Sequence, residues 1–205
     1  MRIEELKPSQ RVKGRWLAVM DDGSILRLGE SQVIDFSLYA GKELSPDEAQ
    51  RLSDCARTDA LKSKAITLLT AKPLSRKELE RKLLTWEASE EEASALCNRM
   101  EELGLLNDEL YARQVVSHYS SRGYGVRKLR DELFRRGVPR QFWDEALSAA
   151  EDPDAAIDAF LCKKLAGQQP NPQLLKKLTD TLARRGFRWE DIHSAVNRLG
   201  ICTDD

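Results

Sequence analysis

A helical pattern written three times at almost constant spacing limits what this chain can fold into more than any other feature. Residues Arg122-Gly123-Tyr124-Gly125-Val126-Arg127-Lys128-Leu129-Arg130-Asp131-Glu132-Leu133-Phe134-Arg135-Arg136-Gly137-Val138 read as a helix bracketed by glycines. Val126, Leu129 and Leu133 fall on one face at helical spacing, and the cations fall elsewhere on the wheel. Leu178 and Leu182 repeat Leu129 and Leu133 at an offset of 178 minus 129, or 49, and Arg184-Arg185-Gly186 repeats Arg135-Arg136-Gly137. Leu79 and Leu83 take the same places upstream at an offset of 129 minus 79, or 50. Self-similarity at this period predicts a row of kindred helical units.

Helix start signals divide the row. Ser45 to Glu48, Ser75 to Glu78 and Ser89 to Glu92 each place a serine three residues before a glutamate, the pattern of a capping box, and Pro46 fits the first helical position. One helix is expected from Ser45 to Ser53. The first unit is then expected as helices over 55–71, 75–86 and 89–103. Asn107 or Asp108 caps the next helix, the bracketed helix follows, and Pro139 opens a third that holds Phe142, Trp143 and Leu147. The last unit is expected over 153–166, 172–185 and 188–199, with one long polar joint over 167–172.

Ahead of the helices, Val12 to Met20 alternates, Asp22-Gly23 is a strong hairpin turn, and Ile25 to Leu28 answers as a returning strand. A third strand is expected over 32–37, the sheet packing on the helices or a neighbouring chain. The expected fold is mainly α: three tandem three-helix repeats in an elongated curved array behind a small N-terminal β segment. Its divisions are 1–54, 55–108, 109–152 and 153–205, units small enough to need shared cores.

Hydrophobic residues at 41% suffice to line one face of each helix, and no apolar run approaches the roughly 20 residues that span a bilayer. With no leader segment at the start, a cytoplasmic location is expected. Cys55, Cys97, Cys162 and Cys202 are scattered, with only His118 and His193 besides, so no metal site is expected, and Cys97 reads as a core thiol. No nucleophile, acid–base set or phosphate-cradling loop assembles, so neither catalysis nor a cofactor is expected. The net charge of −1 hides a gradient. Residues 1–54 carry 8 cations against 10 carboxylates and residues 55–108 carry 9 against 10, whereas 109–150 carry 8 against 5 and 160–200 carry 8 against 3. The basic half points to an acidic partner, nucleic acid or an acidic protein surface.

Leu103-Gly104-Leu105-Leu106-Asn107-Asp108 with Tyr111-Ala112, then Arg122-Gly123-Tyr124-Gly125, then Leu129-x-x-Glu132-Leu133-x-x-Arg136-Gly137-Val138 resembles the RecX family. Ser75-Arg76-x-Glu78-Leu79 and Lys82-Leu83 extend the resemblance, which covers residues 55–200. The strands and the Gly41-Lys42-Glu43-Leu44 step look like its longer members. The resemblance implies a non-enzymatic regulator of the RecA recombinase in recombinational repair and the SOS response. It implies binding in the groove of the RecA filament on single-stranded DNA, limiting filament growth, strand exchange, ATP hydrolysis and co-protease activity. Two departures stand out: Thr85-Trp86-Glu87 replaces Arg-Arg-Gly in the first repeat, and the third lacks the Gly-Tyr-Gly turn.

Candidate contacts to RecA or DNA are Arg122, Tyr124, Arg127, Lys128, Arg130, Phe134, Arg135 and Arg136 in the second repeat. In the third they are Lys163, Lys164, Lys176, Lys177, Arg184, Arg185 and Arg188. Each cation reads equally as solvated surface. Phe134 is expected to pack on the third repeat, with stacking on a base as the alternative. Tyr124 is expected to cover the preceding helix end, and Trp86, Trp143 and Trp189 to be core. Duplex DNA is a further candidate ligand, and a monomer is expected. A helix-turn-helix module acting without RecA and a plain interaction scaffold remain alternatives.

Overall fold

The computed structural model describes residues 1–150, 152–166 and 170–199, so the first half of the expected polar joint and Cys202 lie outside the described residues. An antiparallel sheet of β1 (Ile3–Pro8), β2 (Arg15–Met20) and β3 (Ile25–Gly29), in that order, precedes the helices. These are α1 (Glu30–Asp35), α2 (Pro46–Ala71), α3 (Arg76–Thr85), α4 (Glu90–Glu102), α5 (Asp108–Ser120), α6 (Val126–Arg135), α7 (Trp143–Ser148), α8 (Pro153–Leu165), α9 (Pro172–Arg184) and α10 (Trp189–Arg198). A 3₁₀ turn over Arg140–Phe142 leads into α7. Contacts divide the chain into two units: residues 1–72 with 80–105, and residues 73–79 with 106 onward.

In the first unit the predicted hairpin forms around Gly23, which takes φ +80°. The remaining strand is β1 and not the one expected over 32–37. Ile3 and Leu6, an odd three residues apart, pair with Met20 and Ala18, and an irregularity between Ile3 and Glu5 restores the parity so that both face the core. The strand expected over 32–37 is instead α1. The Gln32 side chain accepts the Gly29 N–H at 2.8 Å, a local cap that favours helix. The break expected near Ser53 is also absent. No glycine or proline interrupts α2 after Pro46, and Leu52, Ala56, Leu61, Ala65 and Leu69 stay buried along it. Leu52 and Ala56 join Ile3, Ala18, Met20 and Leu28 in one core, so the sheet packs on α2.

The second unit holds two helix triplets of the same design. Tyr111, Ala112, Val115 and Val116 of α5 enclose Leu129 and Leu133 of α6, with Val138 and Ala146 closing the cluster. Ile157 and Leu161 of α8 do the same for Leu178 and Leu182 of α9, with Phe187, Ile192 and Val196. Leu79, Leu83, Leu129, Leu133, Leu178 and Leu182 are all buried, the periodic positions serving one purpose in every copy. Each is worth about 1.5–3 kcal/mol when removed from water.

Helix ends repeat as faithfully as cores. The N–H groups of Val138 and Phe187 bond back to the carbonyls of Leu133 and Leu182, with Gly137 and Gly186 at φ +71° and +90°. Ala88 bonds to Leu83 in the same way, and there the left-handed residue is Glu87, at φ +66°. The turn has therefore survived the loss of its glycine, at a cost of about 1–3 kcal/mol for a side chain held in that region. Glu87→Gly is expected to stabilise the protein by about 1 kcal/mol once the extra freedom of an unfolded glycine is deducted. A urea titration that leaves the midpoint unmoved or lowers it would contradict this.

A second repeated device sits where the middle helix of a triplet begins. The Gly125 N–H donates to the Arg185 carbonyl at 3.0 Å and the Arg127 N–H to the Gly186 carbonyl at 3.1 Å. Carbonyls at the end of α9 thus satisfy amides that α6 leaves open at its start, and opposite ends of two helix dipoles meet. The contact is backbone on backbone. A Cβ on Gly125 would lie 2.4 Å from the Gly186 oxygen, and one on Gly186 would lie 2.4 Å from the Lys128 nitrogen. At the corresponding place one triplet earlier, the Ser75 hydroxyl donates to the carbonyl of Arg136, the counterpart of Arg185.

Candidate functional site

The basic helix of the sequence is α6, and its position follows from the two constraints just described. Leu129 and Leu133 hold its back in the core, and the α9 carbonyls close its first turn. What faces outward is Arg127, Arg130, Asp131, Phe134 and Arg135, with Arg127, Arg130 and Phe134 at helical spacings of three and four. Phe134 is 69% exposed, which overturns the expectation that it packs on the third repeat: it lies off the Leu129–Leu133 face that enters the core. Among the described residues Arg122, Arg127 and Arg130 form no ion pair. The face carries the uncommitted Arg127 and Arg130 and a bare aromatic ring, with one carboxylate, Asp131, among them.

The other cations of α6 are committed. Glu132 is buried, yet Lys128 approaches it at 3.2 Å, Arg135 at 2.5 Å and Arg136 at 3.8 Å. Burial pushes the Glu132 carboxyl upward, but the hydrogen bonds from Arg135 and Lys128 outweigh it and hold the group below the usual glutamate value. Arg136 also donates to the Tyr111 hydroxyl at 2.6 Å and lies 3.5 Å from Glu78, the glutamate of the predicted capping box at Ser75. Tyr111 in turn donates to Glu78 at 2.8 Å, and burial together with Glu78 raises its pKa to about 12. Arg136 is thus a half-buried strut and not an outward contact, because three groups claim its guanidinium.

The sequence reading missed this network of Glu78, Tyr111, Glu132 and Arg136. The available signal was Glu132 itself, one place from Leu133, with Lys128 and Arg136 four residues to either side. Tyr124 does cover the end of α5, edge-on to Tyr119 with centroids 5.7 Å apart. Of the tryptophans, Trp143 packs with the α5–α6 cluster, Trp86 is half-buried, and Trp189 is 54% exposed, edge-on to His193. Trp189 opens α10, and a first-turn side chain faces outward there. Cys97 is buried as expected.

The third-triplet candidates are more dispersed. Lys163 and Lys164 are exposed in the last turn of α8, where the helix dipole favours cations. Lys176 and Lys177 are exposed early on α9, Arg184 is exposed at its end, and Arg188 is exposed just before α10. Arg185 is half-buried, its guanidinium 4.7 Å from the Phe160 ring. Arg198 is paired with Asp154 and Asp158, carboxylates just outside the 160–200 span, so less free positive charge remains than that span suggested. The positions matching Arg130 and Phe134 are Thr179 and Ala183, so α9 does not duplicate the outward face of α6.

Known proteins share this plan. Residues 62–100 match the family model described as RecX, first three-helix domain, and residues 107–147 match that of RecX, second three-helix domain. A relative from Pseudomonas entomophila, called regulatory protein RecX, is 35% identical over 135 residues, covering 65% of this chain and 87% of its own. The chain belongs to the RecX family. A RecX from Streptococcus gordonii matches all of this chain and 79% of its own at 25% identity. Among solved folds, a crystal structure of regulatory protein RecX superposes with a TM-score of 0.72 at 20% identity, covering 96% of this chain and 98% of its own. RecX from Lactobacillus salivarius gives 0.64 over 71% of this chain. Among the described residues no helix is long and apolar enough to cross a membrane.

Proposed function

We propose that this RecX-family chain regulates RecA by lying in the groove of the RecA filament on single-stranded DNA and limiting filament growth, ATP hydrolysis, strand exchange and co-protease activity. It acts without catalysis or cofactor, as a monomer in the cytoplasm, and 55–108, 109–152 and 153–205 are its units of duplication. The observation that supports the reading most directly is the outward face of α6, where Arg127 and Arg130 form no ion pair among the described residues and Phe134 stands bare between helical turns. Unpaired guanidinium groups suit phosphates or carboxylates, and an exposed ring suits stacking or insertion at a protein surface. The amides at the start of α6 are already bonded to α9, so the helix offers its side and not its N-terminal tip, unlike a helix that inserts that tip into a duplex groove.

Adding the protein to RecA on single-stranded DNA is expected to suppress ATP hydrolysis at amounts well below one per RecA subunit. The triple change Arg127→Glu, Arg130→Glu, Phe134→Ala is expected to raise the amount needed by about tenfold or more, the loss of one or two strong contacts. Unchanged hydrolysis up to equimolar protein would reject the proposal. Tight, sequence-selective duplex binding in its place would favour the helix-turn-helix alternative.

A further inference from the structure

The basic half of the sequence is not the only place where cations gather. In the first unit, the loop after β1, the end of β3 and the second half of α2 enclose an open groove of about 800 Å³, with Trp86 in its wall. Lys13, Arg15, Arg27, Lys62 and Lys64 line it against one carboxylate, Asp59. This concentration runs against the composition of its surroundings, since residues 1–72 and 80–105 together hold 15 Lys and Arg against 18 Asp and Glu. The β2–β3 register puts Arg15 opposite Gly29 and Arg27 opposite Leu17, so the two arginines share a sheet face. Asp59, Lys62, Ser63, Ile66 and Thr67 form one stripe of α2. Among the described residues none of the five cations has an ion pair, and Lys64 rests 5.6 Å above the Trp86 ring.

We propose that this groove binds a single strand of nucleic acid, with Trp86 as the stacking platform and Arg15, Arg27 and Lys62 among the phosphate contacts. A polynucleotide alternates anionic phosphates with flat apolar rings, and the groove offers a match for both: cations and an indole line it, with Val12 and Ile66 as further apolar wall. An acidic peptide would answer the charge but leave the indole without a flat partner. The volume lies within the roughly 300–1,000 Å³ of pockets that hold organic ligands, room for a few nucleotides. The groove is separate from the α6 face and needs no RecA to operate.

The test is fluorescence anisotropy of a labelled short oligothymidylate with the full-length protein alone, over a range of salt. Arg15→Ala, Arg27→Ala and Lys62→Ala together are expected to weaken binding by about tenfold or more and to flatten the log–log salt slope by about 2, or 0.7 for each lost phosphate contact. Trp86→Ala is expected to weaken it about 5- to 100-fold with the slope unchanged, and Trp86→Phe to restore most of the loss. Unchanged affinity and slope in the triple variant overturn the proposal, as does Trp86→Phe binding no better than Trp86→Ala. Polyglutamate of matched charge displacing the oligonucleotide equally well would assign the groove to an acidic protein segment instead. A RecA assay that fails while these losses appear would reject the filament reading and keep the groove.

Discussion

Replacing Gly186 with alanine is expected to destabilise the second unit by roughly 4 kcal/mol. Two costs combine. The residue sits at φ +90°, where a side chain costs about 1–3 kcal/mol. Its Cβ would also meet the Lys128 backbone at 2.4 Å, a clash that no side-chain rotation relieves, and such overpacking costs about 1–3 kcal/mol. Forcing the chains apart further strains the bonds from Gly125 and Arg127 to the carbonyls of Arg185 and Gly186. Gly125→Ala separates the causes, because Gly125 has an ordinary extended conformation and only the clash remains. Gly123→Ala carries the conformational cost alone, about 1–2 kcal/mol, since the nearest atom to its Cβ is the mobile end of Arg185 at 3.4 Å. Urea unfolding should rank the three with Gly186 worst and Gly123 mildest, and hydrogen exchange should show the Gly125 and Arg127 amides deprotected in the first two. Equal effects at all three positions would mean that the close approach is not what the glycines serve.

Glu132→Ala is expected to cost about 1.5–3 kcal/mol, the loss of hydrogen bonds between a buried carboxylate and the cations around it. The half-buried Arg136, whose Nε already has no hydrogen-bond partner among the described residues, would lose Glu132 but keep Glu78 at 3.5 Å and the Tyr111 hydroxyl. Glu132→Gln should cost less, because the amide oxygen can still accept from Arg135. The acid limb of stability gives an independent reading. The folded-state pKa of Glu132 is depressed, so its contribution is fully present above the ordinary value of 4.5 and is lost as pH falls through the folded value. Tyr111 works at the other extreme. Its pKa is raised from 10.0 to about 12, so its contribution is complete below pH 10 and disappears as pH rises to about 12. The Glu132→Gln variant should show a shallower acid loss, and Tyr111→Phe a shallower alkaline one. Profiles that keep the parent's slopes would remove both groups from the account.

What the sequence could reveal was set by how local the physics was. The capping boxes at Ser45, Ser75 and Ser89 need only four consecutive residues, and all three form where expected. The six periodic leucines needed only helical spacing, and all six are buried. Strand β1 was hidden because its irregularity breaks the two-residue period on which strand recognition depends. Glu87 was a false departure from the repeat, since a glutamate in a left-handed turn looks like the loss of that turn. The candidate site was half legible. Charge patterning found α6, but it could not tell Arg130, which faces outward, from Arg136, whose partners Glu78 and Tyr111 lie 58 and 25 residues away in sequence. The meeting of Gly125 with Gly186 was out of reach for the same reason.

The start of α9 carries a further consequence. Gly125 gives α6 no side-chain cap, and carbonyls from the next triplet complete it. Asn171 accepts the Leu174 N–H at 2.8 Å, and Pro172 brings no N–H of its own, so α9 is finished from within. The entrance of α6 thus draws its partners from the following triplet, whereas that of α9 is closed by its own asparagine and proline. Cohesion between the two triplets of the second unit is therefore a matter of main-chain amides left open at one helix entrance and closed at the other.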